Sequence, residues 1–221
     1  MHVQELWRYP VKSMRGERIS EAALNPTGLH GDRNIVVVSA AHGHIITART
    51  HPNLLGLQAS LSEDGTTLIE GHLWSSPAAL ELTQNAVGER VQLVDAGTSP
   101  ERFDVLPLLI ATDGAVRELD MDARRLRPNI VIAGVSGQAE RSWPGAHLVS
   151  GPVVIDVAQL RSRCVMTTFD PDSLEQDLDV LRKIVRKVEG KLALDCAVGS
   201  PGVLHAGDSI SLHTNLQGPL S

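Results

Sequence analysis

The run Leu160-Arg-Ser-Arg-Cys-Val-Met-Thr-Thr-Phe-Asp-Pro171 sets one of the chain's two cysteines directly after a pair of arginines and just ahead of a Thr-Thr pair. Guanidinium neighbours favour thiolate over thiol, and the thiolate is the form that ligates soft metals or attacks electrophiles. Cys164 is therefore a candidate reactive or metal-ligating thiol. Other polar residues gather at turns and at the edges of apolar runs. Lys12-Ser13 follows Tyr9-Pro10, Asp32-Arg33 follows Gly31, and Thr47 stands beside Arg49. Arg127-Pro128-Asn129 opens an apolar run, and Arg161-Ser162-Arg163 leads into Cys164 and Thr167-Thr168. If the fold converges them, they form a pocket with Lys and Arg for an anion, hydroxyls and amides for the edges of a heterocycle, and one thiolate. Paired arginines suit a phosphate. The plainer alternative is that each arginine simply pairs with one of the 26 acids.

Several chemistries are excluded by missing patterns. The chain has no Gly-x-Gly-x-x-Gly, no P-loop, no His-Glu-x-x-His and no Gly-x-Ser-x-Gly. Cys164 and Cys196 are too far apart for a Cys-x-x-Cys pair. His42 and His44 flank a turn glycine and could touch a metal, although histidines in turns are ordinarily only polar.

The elements that must position these residues are mostly strands. Strands are predicted over His2–Tyr9, Leu54–Leu61, Thr66–Glu70 and Arg90–Asp95, with a hairpin over residues 34–49. Many short strands at this spacing suggest a barrel or sandwich. Further on, Asn129–Ala133, Pro152–Ala158 and Arg163–Phe169 read as strands, and Asp113–Leu119 as a short helix capped by Thr112 or Asp113. Residues 173–189 carry Leu174, Leu178, Leu181, Val185 and Val188 at helical spacing, with acids early and bases late. Asp170 or Asp172 would cap that helix and Gly190 end it. Three of the four lysines, Lys183, Lys187 and Lys191, fall in its second half or just past its end, which leaves Lys12 isolated in the rest of the chain. Val203–Leu212 reads as a closing strand and turn.

A length of 221 residues suits one large domain or two small ones, and 42% apolar content with 3% aromatic calls for an aliphatic core. A net charge of -6 argues against nucleic-acid binding by the whole surface. Two cysteines point to a reducing compartment. No apolar run approaches the roughly 20 residues needed to span a bilayer, and the N-terminus has no apolar signal core. The expectation is a cytoplasmic protein without membrane or nucleic-acid partners.

Taken in order, five blocks resemble those of MOSC-domain proteins. They are Tyr9-Pro10-Val11-Lys12-Ser13-x-x-Gly16, Gly31-Asp32-Arg33, Thr47-Ala48-Arg49-x-His51-Pro52, Arg127-Pro128-Asn129-Ile130 and Ser162-Arg163-Cys164-x-Met166-Thr167-Thr168-x-Asp170-Pro171. The likeness is to the class with an N-terminal MOSC β-barrel segment, the amidoxime-reducing component and its bacterial relatives. It implies an α+β, mainly β fold: a MOSC β-barrel with an N-terminal β-rich segment and a few peripheral helices. The implied division is an N-terminal segment over 1–100, a MOSC domain over 101–213 and a tail over 214–221.

The resemblance further implies a molybdenum cofactor (molybdopterin). Cys164 would be the catalytic thiolate and the protein's ligand to molybdenum. Lys12, Ser13 and Arg33 would hold the phosphate and pterin, and Arg127, Asn129, Ser162, Arg163 and Thr167 would complete the cradle. Pyridoxal phosphate is not expected. The implied activity is reduction of small N-hydroxylated substrates of hydroxylamine or amidoxime type. The alternative is a carrier or sulfur-handling protein without turnover of its own. Cys196 cannot hold an iron–sulfur cluster alone, so electrons would come from a separate donor protein of ferredoxin or flavoprotein type. One departure stands out. In Glu140-Arg141-Ser142-Trp143 an arginine occupies the place where the class usually has aspartate, which bears on the substrate side of the pocket.

Overall fold

The computed structural model describes residues 1–214, so the expected tail lies, from residue 215 on, outside the described residues. Its largest element is an eight-stranded sheet. In spatial order the strands are Ser211–His213, His147–Ser150, Val153–Ser162, Lys191–Ser200, Leu108–Thr112, Ile130–Ala133, His2–Arg8 and Glu17–Ile19. Neighbours are antiparallel except Leu108–Thr112 and Ile130–Ala133. That parallel pair needs a crossover, and the helix α2 (Asp113–Glu118) lies on it. The apolar run Ile130–Ala133 is buried at every position, as a central strand covered on both faces must be.

Among the described residues there are also three smaller sheets. Ile35–Ser39 lies between Ile45–Ile46 and Val91–Asp95, which bears out the hairpin. Ala59–Leu61, Thr67–Ile69 and His72–Leu73 form a meander. Glu21–Asn25 pairs with Gly202–His205 as well as with Gly28–Leu29. The first 25 residues are thus strand partners of the second half of the chain. Aliphatic side chains fill separate cores: one inside the large sheet around Leu6, Ile110, Ile130, Ile155 and Leu194, and one in the first half around Val11, Met14, Ile35, Val37 and Leu54.

Among the described residues the fold is mainly β with three α-helices, and several boundaries differ from those expected. Pro52–Gly56 is a 3-10 turn, with only Ala59–Leu61 extended, because Pro52 at the start of the turn fixes a helical φ. Arg163–Phe169 is not a strand: Val165–Thr168 is a 3-10 turn. Val203–Leu212 divides into Gly202–His205 and Ser211–His213, which lie in different sheets. The late helix α3 is Leu178–Val188, not 173–189. Asp170 accepts from the backbone N–H groups of Asp172 and Ser173 at 3.0 Å each, folding that stretch into a turn, and Asp177 caps the helix. Its buried face is Ile184 and Val188, whereas Leu178 and Val185 are exposed. The helix α1 (Pro77–Val87) and the strands Leu108–Thr112, His147–Ser150 and Lys191–Ser200 have no counterpart in the sequence reading.

Candidate functional site

A cavity of about 390 Å³ opens between the first half of the chain and the large sheet. Cys164 lines it, and the local chain explains how. Val153–Ser162 pairs with Lys191–Ser200 through an interrupted register: Leu160 faces Leu194, while Ser162 faces Lys191. Such bulges bend a strand and re-aim its side chains. Arg163 N–H then bonds the Gly190 carbonyl at 2.9 Å. The 3-10 turn follows at once, with Thr167 N–H and Oγ1 donating to the Cys164 carbonyl at 3.1 and 2.8 Å. The Thr168 hydroxyl donates to the Val165 carbonyl. The Thr-Thr pair therefore serves to turn the chain and hold Cys164 at the cavity wall.

A second set of side chains comes from unusual backbone. Among the described non-glycine residues, eight have positive φ, and three of these line the cavity: Ser13 (73°), Arg33 (53°) and Arg127 (58°). Left-handed backbone costs about 1–2 kcal/mol per residue, and such strain gathers at functional sites. Tyr9 is the hub of this side. Its backbone N–H bonds Asp32 at 2.8 Å and its hydroxyl donates to the Pro128 carbonyl at 3.2 Å. The guanidinium carbons of Arg33 and Arg127 lie 5.0 and 4.4 Å from its ring centre. Gly16 has to be glycine here, since a Cβ would fall 2.4 Å from both the Arg8 carbonyl and the Tyr9 ring.

Charge in the cavity is strongly positive and unevenly satisfied. Lys12 Nζ bonds the Arg102 carbonyl at 3.0 Å and pairs with Asp104 at 2.9 Å. Asp104 also pairs with Arg49 at 2.9 Å and Arg161 at 3.1 Å, and Arg161 reaches Asp195 at 3.0 Å. Burial alone would raise the Asp104 carboxyl; Lys12, Arg49 and Arg161 overcome this and hold it at about 2. Burial pushes Lys12 below its ordinary value, against the pull of Asp104. Asp104 first, and then Cys164, hold Arg49 above its ordinary value. Arg163 and Arg127 differ. Arg163 donates from Nη2 to the Leu126 carbonyl at 2.8 Å, but its Nε and Nη1 are buried without a hydrogen-bond partner, as is Arg127 Nη2. Burial brings both guanidinium groups down to about 10.

Of the residues singled out in the sequence, Lys12, Ser13, Arg33, Arg127, Ser162, Arg163 and Cys164 line the cavity, together with Thr47, Arg49 and Arg161. Asn129 and Thr167 do not line it. Asn129 is fully buried behind the wall, accepting from Leu109 N–H at 3.1 Å and Arg33 at 3.4 Å. Thr167 is likewise fully buried and supports Cys164. Arg141 is not among the lining residues. Its Nη1 lies 3.2 Å from the carbonyls of Val188 and Lys191, closing the C-terminal end of α3, where a cation is favourable. Asp104, Gln159 and Asp195 line the cavity without having been picked out, since nothing local marks an acid or amide that long-range pairing brings in. His42 and His44 stack at 5.9 Å on an exposed turn, and no group of three potential metal ligands occurs among the described residues.

Residues 1–102 match the MOSC N-terminal beta barrel domain, and residues 108–211 match the MOSC domain. The chain is 28% identical to human mitochondrial amidoxime-reducing component 1 over 95% of its length and 82% of that protein's. It is also 28% identical to human mitochondrial amidoxime reducing component 2, covering 81% of this chain and 71% of that one. The crystal structure of the YuaD protein from Bacillus subtilis superposes with a TM-score of 0.54 at 12% identity, over 96% of this chain and 95% of that one, which is a likeness of fold.

Proposed function

This chain belongs to the MOSC family, a MOSC N-terminal β-barrel followed by a MOSC domain, and on that footing we propose that it is a molybdenum-cofactor-dependent reductase of N-hydroxylated substrates, of hydroxylamine or amidoxime type. The observation that carries this reading is that the residues lining one cavity include Cys164 together with Arg163 and Arg127, whose Nε and Nη1 and whose Nη2, respectively, are buried without a hydrogen-bond partner. Leaving such donors unsatisfied is costly, and an anionic ligand would satisfy them. A phosphate-bearing cofactor with a soft metal fits this donor set: guanidinium and ammonium groups for the phosphate, a thiolate for the metal.

When bound, the cofactor would supply the two-electron chemistry that takes oxygen from an N–O bond. The chain's part is to bind and to orient. Cys164 is the ligand, held at the wall by Thr167 through its carbonyl. Arg163 and Arg127 donate to anionic oxygens, and Ser162 and Ser13 line the same cavity. Asn129 acts from behind, fixing Arg33. A separate donor protein, of ferredoxin or flavoprotein type, delivers the electrons. Relatives bearing the name amidoxime-reducing component support the substrate class. The two free cysteines suit a reducing compartment such as the cytoplasm. No helix among the described residues is long and apolar enough to cross a membrane.

The test is metal and pterin content after expression in a host that makes the cofactor. Near-stoichiometric molybdenum and pterin are expected in the wild type, with metal retention lost in Cys164→Ala. N-hydroxylated substrate should then be consumed once a donor is supplied. A metal-free, pterin-free wild type from a host that loads a related enzyme would overturn the proposal. Persulfide on Cys164 with no reductase activity would replace it by the carrier reading.

A further inference from the structure

The segment 103–107 joins the two family-matched regions as a run of bends, and its one acid, Asp104, turns its carboxylate into the cavity. Oδ1 faces Lys12, and Oδ2 faces both Arg49 and Arg161, all within 3.1 Å. An ammonium and two guanidinium groups converging on one pair of oxygens are also what a phosphate group would be offered. Few other polar contacts hold the middle of the segment. Among the described residues, the backbone N–H and C=O groups of Asp104, Val105 and Leu106 make no hydrogen bond to the protein, and Val105 is 49% exposed. Its N-terminal end is anchored, with Phe103 N–H bonded to the Pro100 carbonyl at 3.0 Å and its ring against Arg102. The ion pairs of Asp104 are thus the main polar tether of the middle of the segment.

We infer that Asp104 is the pocket's own anion, a specificity-determining residue that occupies the place of a ligand phosphate on Lys12, Arg49 and Arg161 and is displaced, with its segment, when a phosphate-bearing ligand takes those cations. This rests on reading the cavity as an anion site. A tethered carboxylate competes at high effective concentration, so small monoanions are rejected. A phosphate dianion brings more charge and a third oxygen, and it prevails. The carboxylate is ionised throughout the neutral range, so the competition does not relax with modest changes of pH.

Titration calorimetry of the cofactor-free protein with inorganic phosphate at low ionic strength tests this. Asp104→Asn is expected to bind phosphate at least tenfold more tightly than the wild type. Asp104→Ser, too short to reach the cations, should do the same and covers the case in which the amide variant fails to fold. Asp104→Glu, which keeps the charge, should stay within about threefold of the wild type. Equal or weaker binding in the neutral variants, with measurable binding in the wild type, would overturn the inference and leave the anion site standing. Absence of phosphate binding in wild type and neutral variants alike, with the fold intact, would overturn the anion site and the inference with it.

Discussion

The two walls of the cavity use the same residue types in opposite states. On one, Lys12, Arg49 and Arg161 are drawn together on Asp104, and Lys12 also bonds the Arg102 carbonyl, so these charges tie both the first half of the chain and the Val153–Ser162 strand to the segment that carries Asp104. On the other, Arg127 Nη2 and Arg163 Nε and Nη1 are buried without a hydrogen-bond partner. The first wall contributes to the stability of the empty protein, and the second detracts from it. A basic residue in a pocket is thus no measure of ligand affinity until its partners have been accounted for.

Substitution should make the two walls diverge in sign. The largest effect belongs to Arg163→Met, which removes the orphaned donors and keeps the aliphatic stem. Thermal denaturation of the cofactor-free protein should show a gain of about 1–3 kcal/mol, while molybdenum and pterin content falls in protein made in a host that supplies the cofactor. Lys12→Met should lose about 1–2 kcal/mol under the same conditions. Matching signs for the two variants would erase the distinction between the walls.

Acid sharpens the contrast further. Asp104 is held at about 2 against an ordinary 3.8, so its folded value is the lower one. Its contribution is complete above the unfolded value and disappears as pH falls through about 2. A stability loss of roughly 1 kcal/mol between pH 4 and pH 2 is expected from this partly exposed carboxylate. It should be missing from the acid titration of Asp104→Asn. The smallest effect falls outside both walls: Arg141→Ala should cost about 0.5–1 kcal/mol at the end of α3 and leave pterin and metal content unchanged. A drop in content would return Arg141 to the pocket.

What could be read beforehand followed from local chemistry. The hairpin at 34–49 was legible from its β-branched runs, and α3 from its apolar spacing, although that spacing misjudged the inward face: Leu178 and Val185 look out while Ile184 looks in. Helix α1 carried fair signals that went unread. Ser76 accepts from Ala79 N–H as N-cap, Pro77 opens the helix, and Gly88 closes it at φ 82°. Lys191–Ser200 was harder to see, because a strand fixed by its neighbours Val153–Ser162 and Leu108–Thr112 needs no punctuation of its own. The site divides in the same way. Cys164 and its arginines stand together in the chain, but Asp104 meets Lys12 from 92 positions away, and only the assembled fold reveals that the two neutralise each other.

The opening strand has a consequence for how the protein comes to be made. His2–Arg8 lies inside the large sheet against Ile130–Ala133, and Val3 N–H bonds the Asp208 carbonyl at 2.9 Å. A nascent chain therefore exposes its first strand long before the partners of that strand leave the ribosome. Contacts of such sequence separation form slowly and leave apolar edges waiting. Chains stalled after residue 120 should lose their first 25 residues to protease readily, while chains that have released residue 214 should keep them. Ile130–Ala133 and Gly202–His205 are the strands that hold residues 2–25 in place.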